Sequence, residues 1–241
     1  MRAWWREITG LVLPVACGGC GTARTLLCEE CARALYGPAA RRARPVPEPA
    51  GLPMVHAAAP YEDAVRAVLL AHKERGALGL ARPLGAALAG AVRASVSRPA
   101  GRAGPLLLVP VPSARRAVRA RGHDAGRRIA MAAAGELRRG GTEARALPVL
   151  RQRRAVADQS GLTARQRVAN LTGALGVVAG GGRLLGGGRA VLVDDLMTTG
   201  ASLAEAARAV LAAAGPRPPG FVQLSAAVVA VPPLSFEINW N

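Results

Sequence analysis

The chain has 241 residues, a formal net charge of +17, 51% hydrophobic residues and only 3% aromatic ones. It is long and apolar enough to bury an aliphatic core, which excludes a disordered polyelectrolyte. No apolar run reaches the roughly 20 residues of a membrane span, and the scarcity of aromatics argues against a single-strand binder built on base stacking.

The start of the chain has a weak export pattern. Arg2 and Arg6 precede an apolar stretch from Ile8 to Ala16, but Glu7 and Pro14 oppose that reading, so the expectation is a cytoplasmic protein. Residues 1–36 hold every cysteine, as two C-x-x-C pairs: Cys17 with Cys20, and Cys28 with Cys31. Glycines 18, 19 and 21 let backbone N–H groups approach thiolate sulfur. Four thiolates suit a tetrahedral, structural Zn²⁺ in a closed site. Two disulfides, which need an oxidising compartment, and an iron–sulfur cluster are the rival uses of the same residues. Residues 37–53 are rich in Pro, Arg and Ala without periodicity and read as a linker.

From Met54 onward, helical and strand patterns alternate, so residues 54–241 read as one α/β domain. Val65, Val68 and Leu69 mark a helix over Tyr61–Lys73, and a second covers Leu80–Val96 with Pro83 in its first turn. Leu106–Val111 is a short strand. Asp124 caps a helix to Leu137, Leu147–Leu150 is a short strand and Thr163–Leu171 an amphipathic helix. Ala190–Val193 is a buried strand. Ser202–Ala214 is a helix stopped by Gly215 and Pro216, and Phe221–Val231 is the last strand. Gly180–Gly188 reads as a glycine-rich turn, and the tail from Ser235 to Asn241 has no assigned role.

The segment from Val191 to Ser202 carries the chemistry. An apolar strand delivers Asp194 and Asp195 at its carboxyl end, where α/β sheets hold ligands. The turn Met197, Thr198, Thr199, Gly200, Ala201 and Ser202 then opens a helix, offering backbone N–H groups and hydroxyls to an anion. Carboxylates accept from sugar hydroxyls, so the pair and the turn together ask for a ribose 5-phosphate. The alternatives are an Asp that merely caps the helix, or an acidic pair for Mg²⁺ alone. Lys73 is the only Lys among 32 basic residues, so it is either a compact ammonium placed to meet phosphate or pyrophosphate, or a chance occurrence at a solvated helix end. Arg116 and Arg121 flank a strand-end turn as pyrophosphate ligands or as a solvated basic face. His123 is a candidate acid or base, or a packing residue.

Val191–Ser202 resembles the ribose-phosphate-binding motif of type I phosphoribosyltransferases. Other segments are similar to the ComF family within that class: Val109–Pro112 followed by Arg116, Arg121, Gly122, His123 and Asp124; then Gln159, Leu162, Arg167 and Asn170; and Tyr61, Val65, Arg66, Lys73 and Gly76. The chain departs from the family's pattern at His123–Asp124, where Phe-Asn is frequent, and at Ser202, where Thr is usual. The resemblance implies a parallel sheet flanked by helices and 5-phosphoribosyl-1-pyrophosphate with Mg²⁺ as ligands. It also implies displacement of pyrophosphate at ribose C1, with the acceptor left open. A link to DNA uptake in natural competence is implied as well. The competing expectation is a non-catalytic protein that meets single-stranded DNA or uptake machinery through its basic surface. Homo-oligomerisation stays open.

Overall fold

The computed structural model describes residues 16–37, 39–96, 104–156, 161, 163–214 and 224–236. Gln159, Leu162, Gly215, Pro216, the export-like start and the end of the tail lie outside them. In chain order, the elements begin with α1 (Glu29–Tyr36), β1 (Arg41–Ala43), β2 (Met54–Pro60), α2 (Asp63–Glu74) and α3 (Ala81–Val96). They continue with β3 (Leu106–Pro110), α4 (Arg115–Arg121), α5 (Ala125–Arg139), β4 (Ala144–Ala146), β5 (Leu150–Gln152) and α6 (Ala164–Leu171). The last are β6 (Leu175–Val177), α7 (Gly181–Leu185), β7 (Arg189–Leu196), α8 (Ala201–Ala213) and β8 (Ser225–Val231).

Six strands form the main sheet in the order β1-β2-β8-β7-β3-β4. Only the β1–β2 pair is antiparallel. The central strands are apolar along their length because helices cover both faces. Their side chains divide by the strand period of two. Leu106, Leu108, Val191, Val193, Ala227 and Val229 join one core, with α2, α3 and α5. Val109, Leu192, Ala226 and Val228 join the other, with α8. Parallel pairing brings the carboxyl ends of β2, β3, β7 and β8 to one edge, and α2, α4 and α8 leave from there.

Small residues let α3 and α5 cross closely. A Cβ placed on Gly85 would lie 2.5 Å from Ala132 Cβ and 2.8 Å from the Ala132 and Ala133 backbone. Gly85→Val is therefore expected to push the helices apart and destabilise the fold by about 1–3 kcal/mol, read as a lower urea midpoint with an unchanged slope. On the opposite face, α8 holds the small β5–β6 pair. Buried Glu205 accepts the Leu175 N–H at 2.9 Å and two Arg208 N–H groups at 2.7 Å.

Several elements differ from the sequence expectations. The single strand expected over Leu147–Leu150 is two short ones, β4 and β5, in different sheets. Leu147 itself donates its N–H to Leu108 O while the chain turns between them. The glycine-rich stretch contains the one-turn helix α7. Segment 37–53 supplies the edge strand β1, which buries only Ala43. It also lays Pro45 and Leu52 against Gly200. Asp124 caps α5 as expected, accepting from Arg127 N–H at 3.1 Å.

Candidate functional site

β7 carries Asp194 and Asp195 near its carboxyl end, just before Leu196. Asp195 is buried, and Lys73, in the last turn of α2, reaches it: Nζ lies 2.7 Å from Oδ2, with the two side chains 33% and 8% exposed. Asp194 accepts the Asp195 N–H at 2.8 Å through Oδ1. Burial and the neighbouring Asp195 carboxylate push the Asp194 carboxyl well above the usual carboxylate range, against the pull of Lys73. Burial works against the Lys73 ammonium, but Asp195 and then Asp194 outweigh it, so its pKa is raised. The acidic pair is therefore asymmetric: one acid holds a cation, and the other resists ionisation.

The chain then turns. Met197 is buried and donates its N–H to Ala230 O at 3.1 Å. Thr198 is exposed, Thr199 and Ser202 are half-buried, and Ala201 is buried at the start of α8. Gly200 takes φ of 74°, a left-handed value that favours glycine. A Cβ there would approach Leu52 Cδ2 to 3.0 Å. No side chain caps α8, so its first-turn N–H groups face the edge without an intrahelical carbonyl. The helix dipole adds partial positive charge there. Arg167, on α6, donates to Thr198 Oγ1 at 3.3 Å, and its Nε is buried without a partner.

The two arginines read as a pair are separated, because α4 presents them at opposite ends. Arg121 is 16% exposed and meets Glu74 Oε2 at 3.3 Å, beside Lys73, with Nη1 buried and unpartnered. Arg116 is exposed and lines a cleft of about 320 Å³ with Arg115, Arg153 and Arg154. Lys73 sits on Asp195 because α2 ends against the edge where β7 ends. His123 is tied into the backbone, with Nδ1 at 3.1 Å from Arg121 O and Nε2 at 3.2 Å from His72 O. His72 is buried against it, the ring centroids 5.8 Å apart.

The four cysteine sulfurs of the amino-terminal knuckle lie within 4.8 Å of one another. A tetrahedron of sulfurs about 2.3 Å from a zinc ion has edges of about 3.8 Å. Cys20 and Cys28 Sγ are 3.5 Å apart, and the Cys28 N–H donates to Cys17 Sγ at 3.3 Å. Burial opposes the Cys17 thiolate, yet the N–H groups of Cys28, Cys20 and Gly19 outweigh it and lower its pKa to about 6. Burial and the adjacent sulfurs push Cys31 far up. A Cβ on Gly19 would lie 2.5 Å from Cys31 Sγ, so the knuckle needs glycine there. The donor set can hold a metal ion such as zinc.

The chain is thus an α/β protein with a mostly parallel six-stranded sheet flanked by helices and a cluster of four cysteines near its start. No helix among the described residues is long and apolar enough to cross a membrane. No family model matches the sequence, and no curated protein matches it.

Proposed function

We propose that the chain binds 5-phosphoribosyl-1-pyrophosphate and transfers its phosphoribosyl group, as a ComF-like member of the type I phosphoribosyltransferase class. One observation carries the reading: a buried strand, an acidic pair at its carboxyl end and an uncapped helix start joined by Thr198–Gly200, all at one sheet edge. The 5-phosphate sits on the turn, held by the first-turn N–H groups of α8, the hydroxyls of Thr198, Thr199 and Ser202, and Arg167. The ribose hydroxyls meet Asp194 and Asp195. Arg121 and, farther out, Arg116 face the pyrophosphate.

The C1–O bond to pyrophosphate breaks as a bond to the acceptor forms, and the electron pair leaves with pyrophosphate. The protein's contribution is positioning, charge complementarity and exclusion of water. Mg²⁺ would be held mainly by ligand oxygens and water, and would supply charge neutralisation to the pyrophosphate. Lys73 holds Asp195 in place, and Asp195 accepts a hydrogen bond from a ribose hydroxyl. In the knuckle, Cys17, Cys20, Cys28 and Cys31 hold structural zinc.

Isothermal titration with the sugar pyrophosphate and Mg²⁺ tests this reading. Saturable binding below millimolar is expected, and silence at millimolar supply overturns it. Pyrophosphate release with candidate acceptors then separates turnover from sensing.

The arginine-lined cleft favours a second reading, a competence protein that meets single-stranded DNA. Affinity for a single strand is then expected to fall steeply with salt. It should be unchanged in the Asp194→Asn, Asp195→Asn double variant. A loss of DNA binding in that variant would place the nucleic acid in the ribose-phosphate site instead.

A further inference from the structure

The cysteine knuckle touches α2 at both of its ends. Near its start, a Cβ on Gly19 would lie 3.5 Å from Ala64 Cβ. Beyond its end, the short 3-10 turn Leu78–Leu80 is clasped from two sides. A Cβ on Gly18 would come within 2.6 Å of Leu80 Cδ1, and one on Gly79 within 2.9 Å of Leu26 Cδ2. Gly18 N–H donates to Leu26 O at 3.0 Å, closing the knuckle over that turn. The turn is tied back to α2, since Ala77 N–H donates to Ala71 O at 3.1 Å and His72 Nδ1 lies 3.3 Å from Ala77 O. The residue after His72 is Lys73, with its ammonium on Asp195. α1, which carries Cys31, buries Leu35 in the same core as Val65 and Val68 of α2.

A continuous path of packed backbone and hydrogen bonds thus joins the four sulfurs to one ammonium in the last turn of α2. The knuckle has little fold of its own beyond a few backbone bonds and α1. Its shape therefore depends on what draws the sulfurs together.

We propose that metal occupancy of the Cys17, Cys20, Cys28 and Cys31 knuckle sets the position of Lys73. With one ion bound, the knuckle clamps both ends of α2 and the ammonium stays on Asp195. With the ion gone, the Leu78–Leu80 turn loosens, and Lys73 swings off the acidic pair. Lys73 is on this account a positioning residue whose placement the knuckle governs. The proposal rests on the reading of the cysteines as a metal site. Its meaning for ligand binding rests on the phosphoribosyl reading.

Lys73 is the only Lys in the sequence, so its reactivity toward an amine-directed ester, followed on its own peptide by mass spectrometry, reports the ion pair directly. The full chain is measured loaded with zinc, after chelation and after zinc is restored. Acylation is expected to run roughly fivefold faster in the stripped chain, equivalent to losing about 1 kcal/mol of pairing, and to slow again with zinc. A stripped chain that keeps its circular dichroism and the loaded rate overturns the proposal. Gly18→Val, measured with zinc bound, is the second variant. It displaces Leu80 without touching a ligand, so a raised Lys73 rate at one zinc per chain supports the clamp, and an unchanged rate overturns it. A chain that takes up no zinc overturns the clamp together with the metal reading. Titration of the same samples with the sugar pyrophosphate is a separate measurement. Its failure removes the phosphoribosyl reading and leaves the Lys73 result standing.

Discussion

The Asp194→Asn, Asp195→Asn double variant is expected to lose affinity for the sugar pyrophosphate by on the order of 100-fold or more. A charged carboxylate accepting from a hydroxyl contributes about 1.5–3 kcal/mol and a neutral carboxyl about 1 kcal/mol, so the two together reach that range. The single variants should differ, because the pair is asymmetric. Asp195→Asn leaves the Lys73 ammonium without its 2.7 Å partner. The cost to the fold is about 1–2 kcal/mol, less than for a fully buried pair, because a third of the Lys73 side chain reaches water.

Asp194→Asn should instead stabilise the ligand-free fold at neutral pH, because the carboxyl it replaces is held well above the usual range by burial and by Asp195. The sign follows from proton linkage. A group whose folded pKa is raised binds more protons folded than unfolded between the two values, so stability falls as pH rises through that window. The contribution of Asp194 is fully present below about pH 4, its ordinary range, and is lost as pH rises through the raised folded value. Urea midpoints of wild type and Asp194→Asn should coincide in acid and separate as pH rises, with the variant higher. Midpoints that stay parallel across the range would refute the assignment.

Cys31→Ser is expected to have the largest effect on the fold. Cys31 is buried and shares the cluster with three other sulfurs. Removing one thiolate opens a closed tetrahedral site, so zinc affinity should fall by on the order of a thousandfold. The knuckle and α1 pack on α2 and α3, so their loosening reaches the main core. A cost of about 4 kcal/mol lowers the melting temperature of a chain this size by about 8–16 °C. Metal analysis and calorimetry on the same samples check both numbers. One zinc per chain in Cys31→Ser, or an unchanged melting temperature, contradicts the assignment.

How far the sequence could be read depended on the residues in each element. β3 and β7 are legible as aliphatic runs with clear ends, and α5 carries Asp124 at its start. α8 is a long alanine-rich helix after a glycine. β2 is not legible in this way: its run of Met, Val, His, Ala, Ala, Ala and Pro contains little that prefers a strand, and pairing with β1 and β8 makes it one. α4 has no buried residue and no apolar stripe, so nothing in its sequence separates it from a charged turn. β1 is three residues long, below any period.

The same division holds at the site. Asp194 through Ser202 is contiguous, so its chemistry is visible in one stretch. The Lys73–Asp195 pair and the Arg167–Thr198 contact join distant segments, and they depend on where helices end in space. The solitary lysine was the one signal available for the first of these. The parting of Arg116 from Arg121 becomes visible only once α4 is known to be a helix.

Both margins of the main sheet are three-residue strands bearing guanidinium groups: Arg41 and Arg42 on β1, and Arg145 on β4. Arg41 lies over the Phe236 ring, 4.2 Å from its centroid, which shields apolar surface beside that margin. An open strand edge is a template on which another copy of the chain could extend the sheet. Here, two copies meeting edge to edge would press like charges together across a ladder only a few residues long. Among the described residues, the short charged margins therefore disfavour extension of the sheet from either side.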